Sequence, residues 1–308
     1  HAVTRYIIRR LLISIPILFL VVTLVFFVFQ LIPGDPARMY AGDEVSQEEV
    51  EAVRVELGLD RPVLVQYASY LGNLVQGDLG KSFSYRQPVL TMIQRRFWNT
   101  VQLSLGAILL ASLLGLIMGT VAAVNHNRFG DHVLSVISLL GISIPNFWLG
   151  LLMMYLFSVQ LGILPSAGKE TWQHFIMPVI ALSVFSMAFI TRMTRSSLLE
   201  TIGEDYVRTA RAKGLGEYLV LTRHALRNAI LPIVIVVGLR FGYMLGGAVI
   251  VETVFAWPGM GQMFIAAVNA RDIPMVQGVL LIFAMSFLLV NIFIDVAYAV
   301  VDPRIRYE

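Results

Sequence analysis

Apolar residues come in six runs long enough to cross a bilayer, and that pattern excludes most folds. The runs cover about 10–32, 99–124, 133–160, 175–194, 229–251 and 276–300. A helix needs ~20 mainly apolar residues to cross a ~30 Å hydrocarbon core. Backbone groups in lipid must find partners within their own segment, so each run reads as a helix. The expected fold class is an all-α membrane protein with six transmembrane helices. Composition agrees: the chain is 57% hydrophobic and only 14% charged, against about 25% charged in soluble domains. There are no cysteines, which excludes a disulfide framework, a zinc–thiolate site and a thiol nucleophile. The first run follows Arg5, Arg9 and Arg10 and leads into Pro33-Gly34-Asp35-Pro36. It is longer than a signal-peptide core and lacks a small-residue cleavage site, so it reads as a retained anchor.

Basic residues set the expected orientation. With the N-terminus in the cytosol, the short external loops hold only Lys169 and Arg271, while Arg128, Arg192, Arg195, Arg208, Arg211, Lys213, Arg223 and Arg227 fall inside. The other external Lys and Arg lie in one long segment, 33–96, where the charge rule is weakest. Within it Ser46 and Glu49 form a capping box that opens a helix closed by Gly58. Pro62 starts a second helix with Leu64, Tyr67, Tyr70, Leu71 and Leu74 on one face, and Pro88 starts a third. These are read as small external amphipathic helices.

Several groups invite a chemical reading. Gly80-Lys81-Ser82 imitates the end of a phosphate loop, but Val75 stands where the first glycine belongs and no strand precedes it. The polar segment 199–228 is held between two apolar runs. Glu204 and Asp205 near the start of its expected helix, and Arg211 and Lys213 near the end, suit the helix dipole. Gly238, Gly242 and Gly246 form a stripe that lets helices pack closely, as do Gly115 and Gly119. The first stripe is read as an interface with a second membrane subunit, the second as packing within the chain. Arg240 and Asp295 are ionisable residues inside spans, where such groups usually face protein or water. With Asn291, Ser143, Asn146, Ser183 and Ser186 they are read as pathway-lining, against a structural role for each. Trp257-Pro-Gly-Met-Gly261 reads as an interfacial or re-entrant element.

The wording of these segments resembles the ABC-importer permeases of the dipeptide/oligopeptide/nickel family. The resemblance rests on Arg208-Thr-Ala-Arg-Ala-Lys-Gly214, His224-Ala-Leu-Arg-Asn-Ala229 with Pro232, Leu31-Ile-Pro-Gly-Asp-Pro36, Glu252-Thr-Val-Phe-Ala-Trp-Pro-Gly-Met-Gly261 and Asp302-Pro-Arg-Ile-Arg-Tyr307. Sugar-type members carry Glu-Ala-Ala where this chain has Arg208-Thr209-Ala210, so the peptide-type branch is the better match. The resemblance covers nearly the whole chain. It implies one permease domain over 1–308 with the type I importer fold, the external insertion at 33–96 and a cytosolic coupling loop at 199–228. Asp205, Arg208, Thr209, Ala210, Arg211, Ala212, Lys213 and Gly214 would then meet an ATPase. The implied partners are a second homologous permease, two ABC ATPase subunits, an external solute-binding protein and membrane lipid, with no nucleic acid. ATP and magnesium would reside in the ATPases, leaving this chain without catalytic residues, cofactor or metal. The implied location is the bacterial inner membrane, with both termini cytosolic. Dipeptides, longer peptides, glutathione and nickel chelates all fit the scaffold. A stand-alone secondary transporter or channel would call for midplane carboxylates or an inverted repeat, which the sequence does not display.

Overall fold

The chain was analysed as a computed structural model, which describes residues 2–31, 34–42 and 44–301. The Ile32-Pro33 part of the first motif and the whole of Asp302–Tyr307 lie outside the described residues. In order, the helices are α1 (Ala2–Gln30), α2 (Pro36–Ala41), α3 (Gln47–Glu56), α4 (Val63–Val75), α5 (Val89–Val124), α6 (Phe129–Ser143) and α7 (Asn146–Met153). Then come α8 (Gln173–Ile202), α9 (Asp205–Ala212), α10 (Glu217–Leu219), α11 (Leu226–Val254), α12 (Met260–Asn269) and α13 (Ile273–Val301). Wider π-helical turns extend α7 over Met154–Gln160 and join α10 to α11 over Val220–Ala225.

Glycine contacts give the directions of the main helices. A Cβ on Gly106 would meet Phe175 and Val179, one on Gly115 would meet Ile190, and one on Gly119 would meet Thr194 and the Thr191 carbonyl. Both sets of numbers rise together, so α5 and α8 run parallel, with their backbones in close approach through Gly115 and Gly119. This is the intrachain packing expected of that pair. Two parallel spans need a return crossing between them, and only α6 and α7 with its π extension lie there. That return is broken: the two halves meet at 99°. The cause is local. Pro145 has no N–H to donate and pushes the preceding residue out of the helical region, and Ile144 is extended at φ −84°, ψ 121°. The sequence suggested one kinked helix over 133–160; the fold instead has two helices, the first beginning at Phe129.

Helices α11 and α13 are antiparallel. Gly238 lies against Ile294, and Gly242 against Phe287 and Val290. Helix α13 also packs on α1, with Arg10 Nε 3.0 Å from Asp295 Oδ2. The starts of α1, α6 and α11 and the ends of α5, α8 and α13 therefore share one side of the molecule, which also carries α9. The opposite side carries α2–α4 and α12.

On that opposite side the local sequence is obeyed closely. The Ser46–Glu49 capping box is formed in both directions, and Gly58 takes φ +67° after α3 ends. Tyr67 of α4 meets Thr23 of α1 at 2.6 Å, and Tyr67 and Tyr70 both stack on Phe26. Burial pushes the Tyr70 hydroxyl up to about 12. Of the expected α4 face only Leu64 remains well exposed. Pro88 does start a helix, but not a separate small one. It opens the 36-residue α5, which at ~1.5 Å per residue is much longer than a membrane core. Its first turns stand clear of the span and pack on α12 and α13 through Val89, Ile93, Met263 and Met275.

Candidate functional site

Two residues, Gly203 and Glu204, separate the end of α8 from α9. Helix α9 buries Val207 and Ala210 against Val220 and Leu215 of its own loop. Gly214 then reverses the chain at φ +78°, in open space, a conformation that costs glycine little. The return is fastened by Arg211, whose Nη2 lies 2.6 Å from Glu217 Oε1; that hydrogen bond raises the guanidinium pKa. What remains outward is Asp205, Tyr206, Arg208, Thr209, Ala212 and Lys213. The result is a short projecting helix on a rigid base. The structure corrects the expected docking face in one respect. Ala210 faces inward as part of that base, because the loop supplies its own apolar partner in Val220.

The residues expected to line a pathway are dispersed. Ser183 and Ser186 are buried within the bundle, and the Ser183 hydroxyl donates to the Ile180 carbonyl at 2.9 Å. Asn291 donates to the Phe287 carbonyl of its own helix at 3.0 Å. Asp295 is held in the ion pair with Arg10, a structural contact between α13 and α1. Ser143 and Asn146 flank the bend at Pro145, Ser143 exposed and Asn146 half-buried. Arg240 sits midway along α11 with its guanidinium 3.6 Å from the Phe189 ring centre. The glycine stripe is also divided. Gly238 and Gly242 are occupied by α13 of the same chain, a correction to the expected intersubunit contact. Gly246 alone has open space beyond it.

Two buried carboxylates organise the α12 side, and the sequence reading passed over both. Glu252, fully buried, accepts from the backbone N–H of Gly261 at 2.7 Å and of Gln262 at 3.2 Å. It thus caps the N-terminus of α12, whose first N–H groups have no acceptor within the helix. Asp272 accepts from Met275 N at 3.3 Å at the start of α13, and also from Phe83 N at 3.0 Å, Ser84 N at 3.1 Å and the Ser82 hydroxyl. The phosphate-loop look-alike is therefore a buried tether. Its serine hydroxyl, and the backbone N–H groups of Phe83 and Ser84 that follow it, are committed to Asp272. The signal for Asp272 was present in Asp-Ile-Pro, an N-cap residue with proline in the first turn. Trp257 is buried within the chain, and its Nε1 donates to the Asn99 carbonyl at 2.9 Å. Asn99 Nδ2 in turn donates to the Pro258 carbonyl at 2.7 Å, and Met260 N to the Thr100 hydroxyl at 2.8 Å. Lys169 reaches Asn99 and lies over the Trp257 ring. The loop before α12 is thereby laced to the outer part of α5.

Comparison with known proteins adds the following. Residues 111–307 match the model of the binding-protein-dependent transport system inner membrane component, and residues 3–104 match the N-terminal model of such membrane components. The glutathione transport system permease proteins GsiC of Escherichia coli K12 and of Shigella dysenteriae serotype 1 are each 45% identical over 304 residues, covering 99% of both chains. Among solved structures, an inward-facing form of the MetNI methionine ABC transporter superposes with a TM-score of 0.57 at 20% identity. It covers 69% of this chain and 97% of that one. An amino acid ABC transporter gives 0.53 at 18% identity, covering 70% and 95%; at such identities these two speak to the fold alone. The fold is that of ABC-importer permeases, the chain is a multi-pass inner-membrane protein that works with ATPase and solute-binding partners, and it belongs to the binding-protein-dependent transport system inner membrane component family as a permease subunit of an ABC importer.

Proposed function

We propose that this permease imports glutathione or short peptides into the cytosol, driven by ATPase subunits that seat on α9. The observation that carries the solute assignment is the 45% identity to glutathione permeases over 99% of both chains. The drive follows from α9, a projecting helix joined directly to a span and stiffened by the Arg211–Glu217 pair. The side bearing α9 is the cytosolic one, since it gathers the basic short loops. Both termini then lie in the cytosol, and α2–α4 and α12 face the binding protein. A second related permease completes the pathway, and ATP and magnesium are handled in two ATPase chains. This chain moves its solute without covalent chemistry.

The test is reconstitution of the complex in proteoliposomes with its binding protein. ATP-dependent accumulation of labelled glutathione or a dipeptide is the expected result. Accumulation of neither, with a nickel chelate or another solute taken up instead, would overturn the solute assignment.

A further inference from the structure

Helix α8 has one face that is only partly covered, between the sides taken by α6 and α11. Gly141 of α6 meets Ala188 and Val184 on one flank, and Arg240 of α11 meets Phe185 and Phe189 on the other. Phe185, Phe189, Arg192 and Ser196 succeed one another at helical spacing along this open face. Two cations stand on it. Arg240 is the middle residue of α11, roughly 21 Å from either end at ~1.5 Å per residue. Its guanidinium rests 3.6 Å from the Phe189 ring centre, with Phe185 at 5.5 Å and Tyr243 at 5.8 Å. Arg192, exposed, lies one turn nearer the α9 side and borders a cavity of about 460 Å³ lined also by Ser135, Ser138, Thr191 and Ser196. Neither arginine has a carboxylate partner among the described residues. Arg195, beside them, does: both its Nε and Nη2 bond Asp131, at 2.6 and 2.8 Å.

From this geometry we infer a carboxylate-binding track, with Arg240 as the mid-membrane station and Arg192 as the next station toward the cytosol. The inference rests on the importer assignment and deepens it by naming the part of the solute that is held. An arginine at the bilayer centre is tolerated where it faces protein or water rather than lipid. Lipid phosphates do not reach that depth. The three aromatic rings hold the guanidinium by its face, which leaves its N–H edge free for a carboxylate, the group it binds in bidentate fashion. A solute with one or two carboxylates and little net positive charge, such as glutathione or an acidic or neutral peptide, matches two successive cations. Of the hydroxyls around Arg192, that of Ser196 supplies a further donor where the solute leaves the span, whereas those of Ser135, Ser138 and Thr191 already donate within the protein.

The experiment uses the reconstituted complex and two readouts. The first is modification of Arg240 by p-hydroxyphenylglyoxal, mapped by mass spectrometry. Arg240 is expected to react, and glutathione to slow the reaction about fivefold or more while its diamide does not, since the charged hydrogen bonds belong to the carboxylates. An Arg240 that never reacts, or is protected equally by both, overturns the inference. The second is uptake by Arg240→Gln and Arg240→Lys. The Gln variant should still copurify with the second permease, lose about tenfold in glutathione uptake, and be partly rescued by Lys. Loss of the second permease from the Gln variant would mark Arg240 as an intersubunit ion-pair residue and overturn the inference, as would unchanged uptake. Wild-type complex that protects Arg240 with glutathione yet imports none would defeat the solute assignment and leave the track standing.

Discussion

Glu252 is the side chain on which the α12 loop depends, because two backbone N–H groups in a dry site have no other acceptor. Glu252→Ala should leave them unsatisfied at a cost of about 2–4 kcal/mol, and lower the melting temperature of the detergent-purified complex by roughly 5 °C. A melting curve unchanged from wild type would show that the loop finds other partners. At Gly214 the constraint is conformational rather than steric, for a Cβ there meets nothing within 4 Å while φ is +78°. Gly214→Asn should therefore retain most uptake, whereas Gly214→Val, strained by roughly 1–2 kcal/mol, should uncouple ATP hydrolysis from uptake. Equal uptake by the two variants would contradict this. The turn at Gly214 was legible in the sequence because glycine after a basic helix end has few other uses. The inward side of α9 was not, since it depends on Val220 folding back from ten residues further along.

At the scale of helices, spacing announced the glycine stripes but not their partners. Gly238 and Gly242 look the same as Gly246 in sequence, yet the first two are filled by Ile294, Phe287 and Val290 of α13. Gly242→Leu should accordingly destabilise this chain itself, by about 1–3 kcal/mol of overpacking. Gly246→Leu should leave the chain's own melting unaffected. The comparison is read by thermal unfolding of the separately purified subunit, and equal losses would mean that Gly246 is not free. The break at Pro145 was visible as a kink. Its size was not, because a 99° turn requires neighbouring helices to receive both halves. The small external helices were read correctly where caps decide, as at Ser46, and misread at Pro88. There the helix ran on because the apolar run behind it had no reason to stop.

For the whole molecule, six crossings follow from the parallel pair α5 and α8 together with the return through α6 and α7. Single cysteines test this on a background that has none. Positions Ser84, Ser166 and Lys213 are all exposed. An impermeant thiol reagent added to intact cells should label the first two and spare the third. Labelling at position 213 from outside would reverse the assigned orientation. Hydropathy made the spans readable at once. The carboxylate anchors Asp131, Glu252 and Asp272 were hidden, since a lone acidic residue at a span edge does not announce which partner it will hold.

The two glycine contacts between α5 and α8 bear on how far a push travels. Helix α8 enters α9 after two residues, and it is keyed to α5 by Gly115 and Gly119, whose added side chains would strike Ile190 and Thr194. Such a pair cannot slip by a fraction of a turn, so it behaves as one beam. Its inner end is α9 and its far end is the stretch of α5 from Val89 to Thr100, to which Trp257, Pro258 and Met260 are bonded. In the proposed orientation, a tilt imposed at the α9 end would be carried along this pair to the loop on the opposite surface.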